Sequence, residues 1–424
     1  MPRKMKESGV EWLGQIPEGW GLGRVKNDFA HVKSIAGVGA GSYDRLALTM
    51  QGVIRRSKDD TVGLQPQEFE SYQVLRPNEL VFKLIDLQNV KTSRVGRSPF
   101  EGIVSPAYIV LHPRSEQNSK YAEYFFLALW MHEIFQTMGG DAVRSCLTAT
   151  DLLNIPFPHP PLPEQQRIAA FLDERCAKID GMIAEAKASI EDYKKWKQSL
   201  IEKVTLKGVG SAPLAAVSSD WVEQVPAHWR FMQIRYLFEL RDERNEKPLS
   251  EVNLISLYTD KGVVQHCDLE KTTGNKAATA DGYKLVYEDD IVVNIILCWM
   301  GAIGRSAYAG VTSPAYDVYR VKRQGEVLPR YYHYLFRTTA FSGACYRRGR
   351  GIMMMRWRTY SDEFRSIKVP VPSYAEQEQI ANYLDEKCAA IDKLVGEKEA
   401  LIADLEAYKK SLIFETVTGK REVA

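Results

Sequence analysis

The chain has 424 residues, a net charge of +2 and six cysteines, and it contains no apolar run of transmembrane length. Near-neutrality excludes a uniformly basic nucleic-acid coat, so a nucleic-acid binder of this size must segregate its charge. The cysteines show neither CxxC nor Cys/His metal spacing and no signal peptide is evident, so the expectation is a reduced, cytoplasmic protein with no metal site of its own.

In chain order, the first segment opens with EWLGQIPEGW (Glu11 to Trp20) and continues in short apolar or alternating runs. LALTM, QVLRPNELVFKLI and GIVSPAYIVLHP are punctuated by Gly, Pro and Asn and read as strands. One helix is expected at Ala122–Gln136. The prolines of IPFPHPPLP give an extended lead-in to a long helix from Glu164 to Lys207, which Gly208, Gly210 and Pro213 end. A second segment opens with DWVEQVPAHW (Asp220 to Trp229) and carries LISLYT, KLVYEDDIVVNIIL and GVTSPAYDVYRV as strands. It has one expected helix at Arg330–Thr338, then VPVPS, then a final long helix.

The second half is a copy of the first. Glu164, Gln165, Leu172, Asp173, Cys176 and Asp180 recur as Glu376, Gln377, Leu384, Asp385, Cys388 and Asp392, each shifted by 212. Trp12, Pro17 and Trp20 recur as Trp221, Pro226 and Trp229, and VGRSPFEGIVSPAY recurs as IGRSAYAGVTSPAY. A period this long marks a duplicated domain-plus-helix, not a solenoid. The map is a globular unit at 1–160, a helix at 161–208, a globular unit at 209–371 and a helix at 372–424. The fold class is α+β, with two β-rich units.

The helices carry a heptad seam. On the first it includes Cys176, Ile179, Ile183, Ala186, Ile190, Tyr193, Lys197 and Leu200. On the second it includes Cys388, Ile391, Val395, Lys398, Ile402, Leu405, Lys409 and Leu412. Because a compact domain has its ends close together, the second helix is expected to run back along the first. That gives an antiparallel coiled coil with internal pseudo-two-fold symmetry.

Acid is concentrated on the helices and base in the globular units. Arg347, Arg348, Arg350, Arg356 and Arg358 fall in RRGRGIMMMRWR, which holds no acid. Lys83, Lys91, Arg94 and Arg97 fall in KLIDLQNVKTSRVGR. Arg305 is the counterpart of Arg97, and Arg144 that of Arg356. Arginine suits phosphates and guanine edges, so these residues are the expected DNA contacts. Catalytic signatures are missing: there is no phosphate-binding loop, no GxGxxG turn and no Asn/Asp-Pro-Pro-aromatic motif.

The order domain–helix–domain–helix, the tryptophan-proline openers, the SPAY strands and the helix starts PLPEQQRIAAFLDE and PSYAEQEQIANYLDE resemble the specificity subunits of type I restriction-modification systems. The resemblance covers nearly the whole chain. It implies two target recognition domains, each reading one half of a split site in double-stranded DNA. It further implies helices that set the gap and dock two methylation subunits, with restriction subunits joining them. S-adenosylmethionine, ATP and magnesium would then belong to the partners. A free-standing DNA-binding protein on the same duplicated fold is the alternative.

Overall fold

The computed structural model describes residues 3–60, 68–84, 94–114, 119–138, 146–268, 279–351 and 357–423. Its main helices are α1 (Ser119–Met131), α2 (Leu162–Lys207), α3 (Pro329–Phe336), α4 (Thr339–Arg348) and α5 (Tyr374–Val417). The chain forms two compact units. Unit 1 is Met1–Lys187 with Glu399–Ala424, and unit 2 is Ala188–Lys398. Each unit therefore holds one globular domain, the start of one long helix and the end of the other.

Unit 1 contains two four-stranded sheets. In one, Phe29–Ala30, Ile109–Pro113, Leu80–Phe82 and Val95–Arg97 are neighbours in that order, all antiparallel. In the other, the order is Gly52–Arg56, Arg45–Thr49, Gly102–Val104 and Gln73–Leu75, with one parallel pairing at Ile103 and Arg45. The run LVF at 80–82 shows why its strand is apolar throughout. Side chains alternate faces along a strand; Leu80 and Phe82 enter the core under α1, while Val81 enters the core of the second sheet. The proline-rich Pro156–His159 pairs with Gly21–Arg24 in a two-stranded sheet, where a missing N–H costs little.

Unit 2 repeats the first sheet, while the counterpart of the second is split among the described residues into two pairs, Ile255–Tyr258 with Gly262–Gln265 and Lys284–Val286 with Gly310–Thr312. Phe238–Arg241, Tyr316–Val321, Ile291–Asn294 and Ile303–Arg305 form the equivalent sheet. Again Ile291 and Val293 face the helix-side core and Val292 the other. Lys368–Val371 pairs with Arg230–Gln233. The expected helix at Ala122–Gln136 is two helices, α1 and Ile134–Met138, because Glu133 takes a positive φ of 58°. The one expected at 330–338 is α3, and α4 follows it after Thr338, whose hydroxyl caps the Phe341 N–H.

Within each unit the two long helices run antiparallel. In unit 1, Ile179 and Ile183 of α2 share a core with Leu412 of α5, and Ile402 and Leu405 pack against it. In unit 2, Leu200 and Ile201 of α2 pack against the core that holds Ile380 and Leu384 of α5. Ile190 and Ile391 are buried, and Val395 is half-buried. The seam lysines reach carboxylates on the opposite helix: Lys409 Nζ lies 2.6 Å from Asp180, and Lys197 Nζ lies 2.7 Å from Asp392. These two ion pairs are repeat equivalents, since each residue of one is shifted by 212 in the other. The thiol of Cys176, pushed up to about 11 by burial, stays protonated as a small core side chain.

Candidate nucleic-acid interface

Each globular domain is fastened to the helices by the residues the repeat preserves. The Trp20 indole donates to Glu164 at 3.0 Å and the Trp229 indole to Glu376 at 3.1 Å. Burial opposes ionisation of Glu376, but bonds from Ser373, His228 and Trp229 outweigh it and hold its carboxyl at about 2. Gln165 and Gln377 each donate to a carbonyl of the proline lead-in, Pro160 at 3.0 Å and Pro372 at 2.9 Å. Tyr124 donates to Asp173 at 2.7 Å and Tyr334 to Asp385 at 2.6 Å. Burial, then the neighbouring carboxylates, push both phenols up, so both stay protonated and keep the proton they donate. Tyr121 donates to the Val417 carbonyl at 3.0 Å and Tyr331 to the Thr205 carbonyl at 2.8 Å, so each domain grips a helix C-terminus.

Above these anchors, the strand arginines are held in place. The Arg97 N–H donates to Glu123 at 3.0 Å, and its guanidinium contacts Glu123 and Asn78. In unit 2 the Arg305 N–H donates to His333 Nδ1 at 3.1 Å, and its guanidinium pairs with Asp289. That bond requires an unprotonated Nδ1. Burial, reinforced by Arg337 and Arg305, lowers His333 to about 3, so the ring is neutral.

In unit 2 the described arginines of the acid-free stretch pair with carboxylates from outside it. Arg348 and Arg347 at the end of α4 both reach Asp220, at 2.9 and 3.3 Å. The Arg350 N–H donates to the Arg358 carbonyl at 2.8 Å, and the Arg358 N–H to the Arg350 carbonyl at 3.0 Å. The Arg350 side chain is 70% exposed and pairs with Glu363; Arg358 is exposed. Trp357 stacks on Tyr346 with centroids 5.2 Å apart and 27° between planes, and its indole donates to the Tyr346 carbonyl at 3.0 Å. Gly349 lies so close under that indole that no Cβ fits, which accounts for glycine between the arginines.

The other expected DNA contacts divide. Lys83 is half-buried, and its N–H donates to the Arg94 carbonyl. Arg94 itself is a correction: its side chain is 0% exposed, turned into the domain interior just before Val95, and cannot reach DNA from there. Lys91, Arg144 and Arg356 lie outside the described residues. What sequence reasoning missed is Glu123 and His333 beneath the arginine strands. The only signal for them was their place between Tyr121 and Tyr124, and between Tyr331 and Tyr334.

The Type I restriction modification DNA specificity domain matches residues 74–191 and again 226–402. The chain is 22% identical over 442 residues to the specificity subunit of the type I restriction enzyme EcoKI from Escherichia coli K12, across 96% of this chain and 90% of that protein. It is 24% identical over 439 residues to the putative MjaX specificity subunit of Methanocaldococcus jannaschii, across 97% and 96%. A solved chain from a study of complex assembly and conformational transition in the type I restriction-modification system superposes with a TM-score of 0.70 at 13% identity, covering 96% of this chain and 99% of that one. The HsdS subunit from Thermoanaerobacter tengcongensis gives a TM-score of 0.52 at 13% identity, covering 98% and 100%. At that identity the structural likeness shows the fold alone. With the specificity domain matched twice over most of its length, and both halves tied to the long helices by the same residues, the chain belongs to the family of type I restriction-modification specificity subunits.

Proposed function

We propose that this chain directs a type I restriction-modification complex to a bipartite double-stranded DNA site, one half-site per recognition domain. The observation that carries this reading is the duplication. Two domains of one plan, anchored by equivalent Trp–Glu, Tyr–Asp and Lys–Asp contacts, have different arginine surroundings. The same frame with different surface chemistry suits two different half-sites, because base contacts specify while the scaffold only positions.

In this reading the chain is not itself an enzyme. It docks two methylation subunits, which use S-adenosylmethionine, and restriction subunits that use ATP and magnesium. Arg347, Arg348, Arg350 and Arg358 contact DNA in unit 2, and Arg97 and Lys83 do so in unit 1. Arg305 joins them, and each paired arginine exchanges its carboxylate for DNA: Arg305 leaves Asp289, Arg97 leaves Glu123, Arg347 and Arg348 leave Asp220, and Arg350 leaves Glu363.

Co-expression with the methylation subunit, followed by methylation-sensitive sequencing, tests the proposal. The expected pattern is methyl-adenine in two short fixed sequences separated by a gap of constant length. A single continuous motif, or methyl transfer by the purified chain alone, overturns it.

A further inference from the structure

The strand Ile291–Asn294 of unit 2 runs straight into the apolar sequence IILCWM at 295–300. Asn294 bends the chain there. Its side-chain oxygen accepts from the N–H groups of Ile296 at 3.0 Å and Leu297 at 3.3 Å. Cys298–Met300 then makes a 3-10 turn, which Gly301 ends at a φ of 88°. The pairings of Leu80 with Arg97 and of Ile291 with Arg305 fix the correspondence with unit 1 at a shift of 211. Lys83, which has no oxygen to accept such bonds, stands in unit 1 at the place of Asn294. Counted on from the strand, Asp86, Gln88 and Asn89 stand where unit 2 has Leu297, Trp299 and Met300. The apolar turn is therefore unit 2's own.

Its side chains divide between core and surface. Cys298 is buried in one core with Ala344 and Cys345 of α4. Trp299 packs on Tyr346 with centroids 5.6 Å apart, and its indole donates to the Ile296 carbonyl at 2.8 Å. Tyr346 carries Trp357 in turn. Thr359 ties the two segments together, its N–H donating to the Ile295 carbonyl and its hydroxyl to the Cys345 carbonyl, both at 2.9 Å. Leu297 and Met300 stay outside, 36% and 52% exposed. They are three residues apart, and the Met300 N–H donates to the Leu297 carbonyl at 2.9 Å, so they share one face of the turn.

That face offers no hydrogen-bond donor. Leu297 and Met300 carry none, and the N–H groups of the supporting indoles, Trp299 and Trp357, are committed to backbone carbonyls. It cannot read the donor and acceptor pattern of a base edge. The charge around it selects the occupant. Residues 291–316 and 338–360 contain no Asp or Glu, and the second stretch holds five arginines. A polyanion that presents an apolar group between its charges suits such a surface. In the major groove of duplex DNA that group is the C5-methyl of thymine.

We infer that Leu297 and Met300, on their aromatic support, cover the C5-methyl of a thymine in the half-site read by unit 2, which makes this turn a specificity element. This rests on the reading that unit 2 recognises DNA, and adds which base it reads here and through which group.

The test uses the full chain with its methylation subunit and a duplex carrying its own bipartite site. Each thymine of both half-sites is replaced singly by deoxyuridine, which lacks only the methyl, and affinity is read by titration. One or more replacements within one half-site should weaken binding about fourfold, ~0.8 kcal/mol, the value of one buried carbon. The variant L297A/M300A should bind thymine and deoxyuridine alike at those positions. Replacements in the other half-site should affect variant and unsubstituted chain equally. This coupling between one side-chain pair and one methyl is a readout that a general loss of fold or of phosphate contacts does not move. If the double variant melts early, M300Q, altered at the more exposed side chain, gives the same reading.

Deoxyuridine tolerated at every thymine, or a penalty that L297A/M300A and M300Q leave intact, would overturn the inference while leaving site-specific binding in place. Duplex bending that the variant abolishes, with deoxyuridine tolerated, would make the pair a wedge between base steps and overturn it too. So would a variant that loses a methylation subunit yet keeps the thymine preference, since the face would then contact protein. An unsubstituted complex that binds no specific sequence would instead overturn the DNA reading, and the inference with it.

Discussion

A fragment ending at Gly208 should form a symmetric homodimer, and the contacts of unit 1 say how. Its recognition domain packs against the last stretch of α5, where Leu412, Ile413 and Val417 are buried, Lys409 pairs with Asp180, and Val417 accepts from Tyr121. The fragment lacks that stretch, but α2 carries its repeat. Shifted by 212, Leu412 becomes Leu200, Ile413 becomes Ile201, Val417 becomes Thr205 and Lys409 becomes Lys197. A second copy can therefore supply them, with Asp180 of each copy meeting Lys197 of the other. At ~1.5–3 kcal/mol per buried aliphatic side chain, two leucines and two isoleucines contribute about 6–12 kcal/mol gross. An association cost of about 4–15 kcal/mol opposes this. Phe414, which packs on His132 with centroids 4.4 Å apart, is replaced by Glu202, a further loss. Set against each other, these figures give at best about −8 kcal/mol, a dimer of roughly micromolar affinity that forms at high concentration. Sedimentation equilibrium over a concentration series is the assay. The variant D180K turns both ion pairs into repulsions. With side chains 22–60% exposed, each attraction is worth only ~0.2–1 kcal/mol. The dimer should then weaken by roughly ten- to a thousandfold, at ~1–4 kcal/mol in total, and D180K/K197D should restore it. A folded fragment that stays monomeric at high concentration, or a dimer indifferent to D180K, would refute this register.

Further outcomes are expected. Arg358→Ala should weaken DNA binding; a lost base contact would cost ~1–3 kcal/mol and relax one half-site, whereas a lost phosphate contact would lower the salt slope by about one. Unchanged affinity, slope and sequence preference would remove Arg358 from the interface. Glu376, held at about 2, contributes stability that is present above its unfolded value near 4.5 and lost as pH falls toward 2. E376Q should flatten that acid limb in pH-dependent melts of unit 2. The two ring nitrogens of His112 face acceptors, Glu79 at 2.6 Å and the Val32 carbonyl at 2.8 Å, so both must carry protons. The Glu79 bond, aided by Val32, raises its pKa. Its stabilisation is full below about 6.5 and is lost as pH rises through the raised folded value; nuclear magnetic resonance titration of the ring checks the direction. Tyr334→Phe leaves Asp385 with one donor fewer and should cost ~1.5–3 kcal/mol of unit 2 stability, measured by denaturant unfolding.

The sequence by itself determined the duplication, the two long helices and the residues of their seam. These are periodic properties, and a period of 3.5 or of 212 residues is visible without knowing what any side chain touches. It also marked Glu164, Gln165, Asp173 and Asp180 and their copies as important. Only the tertiary structure decided why: their partners are Trp20, the proline carbonyl, Tyr124 and Lys409, brought together from distant parts of the chain. The arginines show the same division. Arg94 and Arg97 are three residues apart in one basic stretch, yet one is buried and the other half-exposed, because the turn of the backbone into a strand is set by packing on both of its faces.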